Sequence, residues 1–306
     1  MNIKVMLRDV RRRYREPVIR LLFRLFAVLP YSVVLAVGSG IGWVLWKYNG
    51  EMRRVTEKNL QLCFPDMEEK ERQALARRSL IETGKTITEI TTLWSKPKSR
   101  IIALIAEIKG EEHIKNAIDA GRGVILLAPH LGAWEVVGLY ASLNYPMTAM
   151  YRPPEMSGLE SIVRQGRSRF GSKMVPTDAK GVRGLLSALR KSELVGILPD
   201  QDPGRAGGEF APCFGVQANT TTLTSKLAQK TNADVVACFA KRLPAAKGYA
   251  LYFAPANKII NDKNMADSLK ALNQEVEKLI LKCPEQYQWS YKRFKTRPEG
   301  EAKFYT

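Results

Sequence analysis

Gly123-Val-Ile-Leu-Leu-Ala-Pro-His130-Leu-Gly-Ala-Trp-Glu135 is the stretch whose reading decides the fold. Its first seven residues are continuously apolar and end in proline, the pattern of a short strand buried on both faces of a parallel sheet. His130 follows directly, where open α/β sheets carry their chemistry, just beyond the carboxyl end of a strand. It is one of two histidines in 306 residues. Glu135 comes five residues later. On one regular helix positions i and i+5 point about 140° apart, because each residue turns by about 100°. The two meet only if His130 lies in the turn and Glu135 in the first turn of the following helix. Glu135 would then hold one imidazole nitrogen while the other faces a substrate, a base with its orienter. The bland alternative is a buried histidine at a strand–helix corner, with Glu135 an acid favoured by the helix dipole.

Working outward, the pattern from about residue 121 alternates strands and helices. Strands are predicted over 123–129, 147–152, 173–176, 194–199, 234–242 and 249–255. Helices are predicted over 134–144, 157–170, 180–191, 219–231 and 266–282. This βαβα order implies an α/β fold, a largely parallel central sheet flanked by helices. Residues 50–120 read as helical, including Glu68 to Arg78 and Ile101 to Ala120, with a helix ending at Pro65.

The chain carries 48 basic and 30 acidic residues, a net charge of +18. Such a surface attracts nucleic acid, anionic lipid or an acidic protein. Leu25 to Trp46 holds no charged residue, and its 22 positions are enough to cross a bilayer. Pro30 divides it. Before Pro30, residues 3–29 alternate basic and apolar positions, like a basic interfacial helix. Trp43, Trp46 and Tyr48 at the far end suit a membrane interface. Residues 1–48 are therefore expected to be a membrane-anchoring helical segment, and residues 49–306 an α/β domain with a helical lead-in over 49–120. A signal peptide fits poorly, because the apolar run continues past Gly38-Ser-Gly40. A buried hairpin of core helices is the competing structural reading.

Cys63, Cys213, Cys238 and Cys283 are widely spaced and form no C-x-x-C, which fits reduced thiols better than disulfides or zinc. Ser79 to Thr86 is one glycine short of a phosphate-binding loop and has no strand before it. Gly38-Ser-Gly-Ile-Gly42 has the wrong spacing for a dinucleotide loop, and there is no G-x-S-x-G elbow. Metal-ligand spacing is absent, no cofactor is implied, and nucleic-acid binding has charge in its favour but no recognisable module.

Four further segments fall on loops near the predicted strand ends. They are Met150-Tyr-Arg-Pro-Pro154, Arg164-Gln-Gly-Arg-Ser-Arg-Phe-Gly171, Leu198-Pro-Asp-Gln-Asp202 and Tyr287-Gln-Trp-Ser-Tyr-Lys-Arg-Phe-Lys-Thr-Arg-Pro298. With the anchor, Asn59 to Pro65 and the H-x-x-x-x-E of His130 and Glu135, they resemble the bacterial lipid A late acyltransferases. That family is the lauroyl/myristoyl branch of the lysophospholipid acyltransferase superfamily. The resemblance runs almost the whole chain. Tyr291 is a departure, since many members carry histidine there.

The resemblance implies transfer of a fatty acyl chain from acyl carrier protein, or from acyl-CoA, to a hydroxyl of a lipid A precursor in lipopolysaccharide synthesis. It implies a cytoplasm-facing enzyme on the bacterial inner membrane, in contact with membrane lipid. An acyl thioester is already activated, so no covalent nucleophile is needed; His130 would be the general base and Glu135 its orienter. Arg152 is the first candidate for gripping acceptor phosphate or the donor's phosphopantetheine, with Arg167 and Arg169 next. Asp200, Gln201 and Asp202 are further substrate-site candidates, the two acids reading equally well as a cap and a turn acid before the glycine-rich loop. Two alternatives stand beside this reading. One is a same-fold acyltransferase acting on a lysophospholipid, ornithine lipid or glycolipid; the other is a non-enzymatic basic membrane-surface protein.

Overall fold

The structure is a computed structural model that describes residues 17, 19, 21–151 and 159–305. Its centre is a seven-stranded sheet. Nine strands are present among the described residues: β1 (Ile105–Lys109), β2 (Val124–Leu127), β3 (Met147–Tyr151), β4 (Lys173–Pro176), β5 (Leu194–Ile197), β6 (Gly208–Cys213), β7 (Val216–Thr221), β8 (Asp234–Arg242) and β9 (Tyr249–Pro255). The sheet order is β1-β9-β8-β2-β5-β3-β4, and β6 and β7 form a separate antiparallel hairpin. All neighbours in the large sheet are parallel except β8 and β9. The expected α/β class and most strand positions are present.

The helices are α1 (Tyr31–Lys47), α2 (Glu51–Cys63), α3 (Glu69–Ser95), α4 (Lys98–Ile102), α5 (Glu112–Asp119), α6 (Trp134–Asn144), α7 (Leu159–Ser168), α8 (Ala179–Arg190), α9 (Leu223–Thr231) and α10 (Met265–Ile280). They cover both sheet faces, and β2 shows why its sequence is apolar at every position. Val124 and Leu126 enter one core layer with Val136 and Val137 of α6; Ile125 and Leu127 enter the other with Leu185 of α8, Leu227 of α9 and Leu269 of α10. Alternate residues of a strand face opposite sides, so a strand covered on both faces must be apolar throughout.

Two expectations are corrected here. The region 101–120 is not one helix: α4, β1 and α5 occupy it, and β1 is an edge strand whose residues are largely exposed. The segment after Asp202 is not only a glycine-rich loop. It opens into the β6–β7 hairpin, turned by Phe214 and Gly215, both with positive φ. Consequently α9 begins at Leu223 rather than near residue 219.

The apolar run from Leu25 to Trp46 is not one helix. Residues 21–28 are helical, the chain breaks at Leu29 and Pro30, and α1 follows with 17 residues. Among the described residues no helix is long and apolar enough to cross a membrane. One face of α1 packs on the 27-residue α3 through glycines. A Cβ on Gly38 would lie 2.6 Å from Lys85 Cα, and one on Gly42 would lie 2.3 Å from Ile81 Cα. Small residues permit that backbone approach, and Thr88 Oγ1 donates to the Val34 carbonyl across it at 3.0 Å. The opposite face, with Val33, Val37, Trp43 and Val44, is exposed, as are Leu21, Leu22, Leu25 and Val28.

A buried charge cluster ties this helical pair to the sheet. Arg242 of β8 donates from Nε to Glu89 Oε2 (2.9 Å), from Nη1 to Glu82 (2.5 Å) and from Nη2 to Thr86 Oγ1 (3.1 Å) and Glu89 Oε1. Tyr249 of β9 donates to the same Glu89 at 3.0 Å, and Tyr31 of α1 at 3.5 Å.

Candidate active site

β2 and β5 are neighbours in parallel register, with Leu127 opposite Ile197. Each ends in a residue, a proline and a polar group: Ala128-Pro-His130 and Leu198-Pro-Asp200. His130 and Asp200 both lie three residues beyond that matched pair, so they leave the sheet at the same height. Asp200 Oδ1 accepts from His130 Nδ1 at 2.9 Å, and Oδ2 accepts from the His130 backbone N–H at 2.9 Å. Asp200 is 3% exposed. Burial alone would raise its pKa, but the charge of the imidazole and its two hydrogen bonds overcome that and hold the carboxyl below the usual aspartate range. An ionised carboxylate only accepts, so Nδ1 carries a proton, and when the ring is neutral its lone pair is on Nε2. The Gln201 amide nitrogen stands 3.2 Å from Nε2 and 3.4 Å from Gln288 Oε1.

The expected His130–Glu135 contact is therefore corrected. Both ring nitrogens already have partners, and Glu135 points elsewhere from the first turn of α6. Its carboxylate takes Arg167 Nε at 3.0 Å, Arg167 Nη2 at 2.5 Å and the Trp94 indole N–H at 3.2 Å. Gly166 makes this possible, because a Cβ there would lie 2.4 Å from Trp94 Cγ. Burial would lower the Arg167 pKa, but the Glu135 charge more than offsets it and the guanidinium is held charged.

The remaining candidates separate. Asp202 is a turn acid: Oδ1 accepts from Gly204 N at 2.7 Å and Asn219 Nδ2 at 3.0 Å, and Oδ2 from Thr296 N at 3.1 Å. Arg169 is exposed and lies over the Phe170 ring at 4.8 Å. Arg152 lies outside the described residues. β3, which leads to it, is separated from β2 by β5. Cys213 is buried, and burial pushes its thiol up to about 12, which suits no nucleophile.

The aromatic tail is structural in its contacts. Asn59 donates from Nδ2 to the carbonyls of Trp289 (2.6 Å) and Tyr291 (2.8 Å). The Tyr291 hydroxyl accepts from the Asp202 N–H at 3.1 Å, and buried Arg293 donates to the Asn219 carbonyl at 2.6 Å. The tail thus braces the loop that follows Asp200 and Gln201.

The family model for bacterial lipid A biosynthesis acyltransferases matches residues 10–296. The chain belongs to that family. It is 34% identical over 273 residues to a lipid A biosynthesis lauroyltransferase of Escherichia coli, covering 89% of this chain and 88% of that protein. It is 33% identical over 283 residues to a lipid A biosynthesis palmitoleoyltransferase of the same organism, covering 92% and 91%. A lipid A biosynthesis myristoyltransferase, also of Escherichia coli, is 26% identical over 254 residues, covering 83% and 78%.

For an acyltransferase the surroundings of His130 matter as much as the base. Beside it a largely apolar cavity runs between α6 and the sheet, with the kind of lining that ligand sites favour. Ala128, Leu198, Trp134 and Glu135 line it where it approaches His130, and the Trp134 ring lies 5.0 Å from the imidazole. Sequence reasoning passed over this cavity, because Gly138, Met147 and Gly196 fall inside segments predicted simply as helix or strand. It also weighed Asp200 as a cap rather than a partner of His130. The matching apolar-x-Pro-polar endings of the two strands were the signal that could have paired them.

Proposed function

We propose that this acyltransferase moves a fatty acyl chain from the thioester of acyl carrier protein to a hydroxyl of a lipid A precursor. The observation that carries the reading is an imidazole held through Nδ1 by Asp200 and packed against Trp134, which lines an apolar cavity. The acceptor hydroxyl takes the place of the Gln201 amide at Nε2. As its oxygen attacks the thioester carbonyl, its proton passes to Nε2, and Asp200 stabilises the imidazolium. The tetrahedral intermediate then collapses, the C–S bond breaks, and the imidazolium returns the proton to the leaving thiolate. Base catalysis of this kind typically contributes about 10²–10⁴-fold. Arg167 is the candidate for stabilising developing negative charge, since Glu135 fixes it at the cavity and its Nη1 has no hydrogen bond among the described residues. The +18 surface suits an acidic carrier protein and a phosphorylated lipid.

The same reading seats the protein on the cytoplasmic side of the inner membrane. The outward apolar face of α1 and of residues 21–28 supports a helical pair lying on the bilayer rather than crossing it. Val37→Glu should weaken binding to vesicles containing anionic lipid while leaving the melting temperature unchanged. A panel of acceptors offered with lauroyl-acyl carrier protein tests the chemistry. Lipid A precursor should be acylated and lysophospholipid not, and His130→Ala should abolish transfer without lowering the melting temperature. Transfer to lysophospholipid alone would replace the acceptor, and near-normal transfer by His130→Ala would remove the base.

A further inference from the structure

The cavity beside His130 has a graded wall. Helix α6 runs down one side of it, from Trp134 near the imidazole to Ser142 at the far end. Eight residues of α-helix span about 12 Å. Gly138 stands halfway along, about 6 Å below Trp134 by the same rise. It lines the cavity, and a Cβ built on it meets no atom within 4 Å. The space opposite Gly138 exists because that position has no side chain.

Methionines close the far end. Met147 lies under the Ser142 hydroxyl, with Oγ 3.6 Å from Sδ, and Met174 under Ser172 at 3.8 Å. On the sheet side, a Cβ on Gly196 would lie 2.5 Å from the Met147 methyl, so Met147 rests over Gly196. Methionine is flexible enough to take the shape its neighbours allow, which makes this an adjustable stop rather than a rigid one. The relatives named lauroyl-, palmitoleoyl- and myristoyltransferase are 34%, 33% and 26% identical to this chain, so proteins named for different acyl lengths share its family.

We infer that Gly138, Met147 and Gly196 set the length of acyl chain that the enzyme accepts, with Gly138 keeping the channel open and Met147 over Gly196 forming its floor. This rests on the acyl-transfer reading above. Each buried methylene changes relative kcat/KM by about fourfold. A side chain at position 138 excludes the methylenes beyond it, whereas removing the Met147 side chain admits more.

The test measures kcat/KM for octanoyl-, lauroyl- and palmitoyl-acyl carrier protein with a lipid A precursor, using mass spectrometry. Gly138→Leu should lower the palmitoyl-to-octanoyl ratio by about tenfold or more relative to the unaltered protein. Gly138→Ala should move it the same way by less while raising the melting temperature, because alanine outranks glycine in a helix. Met147→Ala should move it the opposite way. Unchanged ratios in both folded Gly138 variants would overturn the inference. Calorimetric titration of the same variants with octanoate and palmitate reads the cavity without any transfer. If the unaltered protein transfers no chain but the variants shift fatty-acid selectivity as stated, the acyl-transfer reading fails and the cavity assignment stands. If transfer proceeds and neither selectivity moves, only the cavity assignment fails.

Discussion

Arg242 and Arg167 each clamp a buried glutamate, and they differ in how completely they are used. Arg242 sits under the α1–α3 pair, 2% exposed by side chain, with two glutamates and a threonine on its three nitrogens. Arg167 sits beside the cavity, 33% exposed, with Nε and Nη2 on one glutamate. A guanidinium with every nitrogen engaged within the protein holds elements together. One with a nitrogen that has no partner among the described residues, beside a cavity, can still bind something else. The same contrast separates Glu135, the acid expected to orient His130, from Asp200, the acid that does. Asp200 spends both oxygens on that residue, while Glu135 spends its own on Arg167 and Trp94.

The sharpest test of that division is Asp200→Asn against Glu135→Gln. Asparagine cannot stabilise the imidazolium and can select the wrong tautomer, so kcat should fall by about 10²–10⁴-fold. Glu135→Gln should cost less, because the imidazole keeps its orienter. The reverse ranking would return the dyad to His130 and Glu135. Next in size is Arg242→Met, which strands Glu82 and Glu89 without their cation. Breaking a buried pair from one side typically costs about 3–5 kcal/mol. Urea unfolding should show that loss, with kcat of the folded protein unchanged; a selective loss of kcat would make the two clamps alike.

Arg167→Lys should do the opposite, lowering kcat/KM by about tenfold, the equivalent of about 1.4 kcal/mol, because an ammonium keeps the charge but not the fork. Its melting temperature should move little. A large fall in stability with intact turnover would make Arg167 a second Arg242. The smallest effect is in pH. Asp200 has a lowered folded-state pKa, so its ionised form stabilises the native state. That contribution is fully present above the unfolded value of about 3.9 and is lost as pH falls through the lower folded value. The part of the stability gap between the unaltered protein and Asp200→Asn that comes from Asp200 ionisation should therefore be lost only below about pH 5. A gap unchanged on acidification from about pH 5 to about pH 2 would show that folding does not lower the Asp200 pKa.

Much of the sheet was legible because its strands are buried on both faces, and continuous apolar runs such as Val124 to Leu127 have few other uses. β1 was not, since an edge strand with glutamate and lysine exposed carries no such run. The β6–β7 hairpin was hidden by Phe214-Gly215, a turn that places a bulky residue at positive φ where asparagine or aspartate is the usual cue. Hydropathy marked α1 as apolar but could not tell lipid from a neighbouring helix. The close approach at Gly38 and Gly42 is what separates its inner face from its outer one. At the site, His130 was legible by its place after a strand. Its partner lay 70 residues away, and only the register of β2 with β5 brings them together.

That register makes the centre unusually sensitive to chain length. Removing one residue between Leu194 and Pro199 would shift Asp200 by about 3.3 Å along the strand direction and turn its side chain toward the other face. No substitution elsewhere could restore the lost contact. One residue added at Gly204, whose backbone already adopts positive φ and whose Cβ position is open, would be absorbed by the loop beyond. Deletions and insertions a few residues apart should thus divide cleanly into those that silence the enzyme and those that it tolerates.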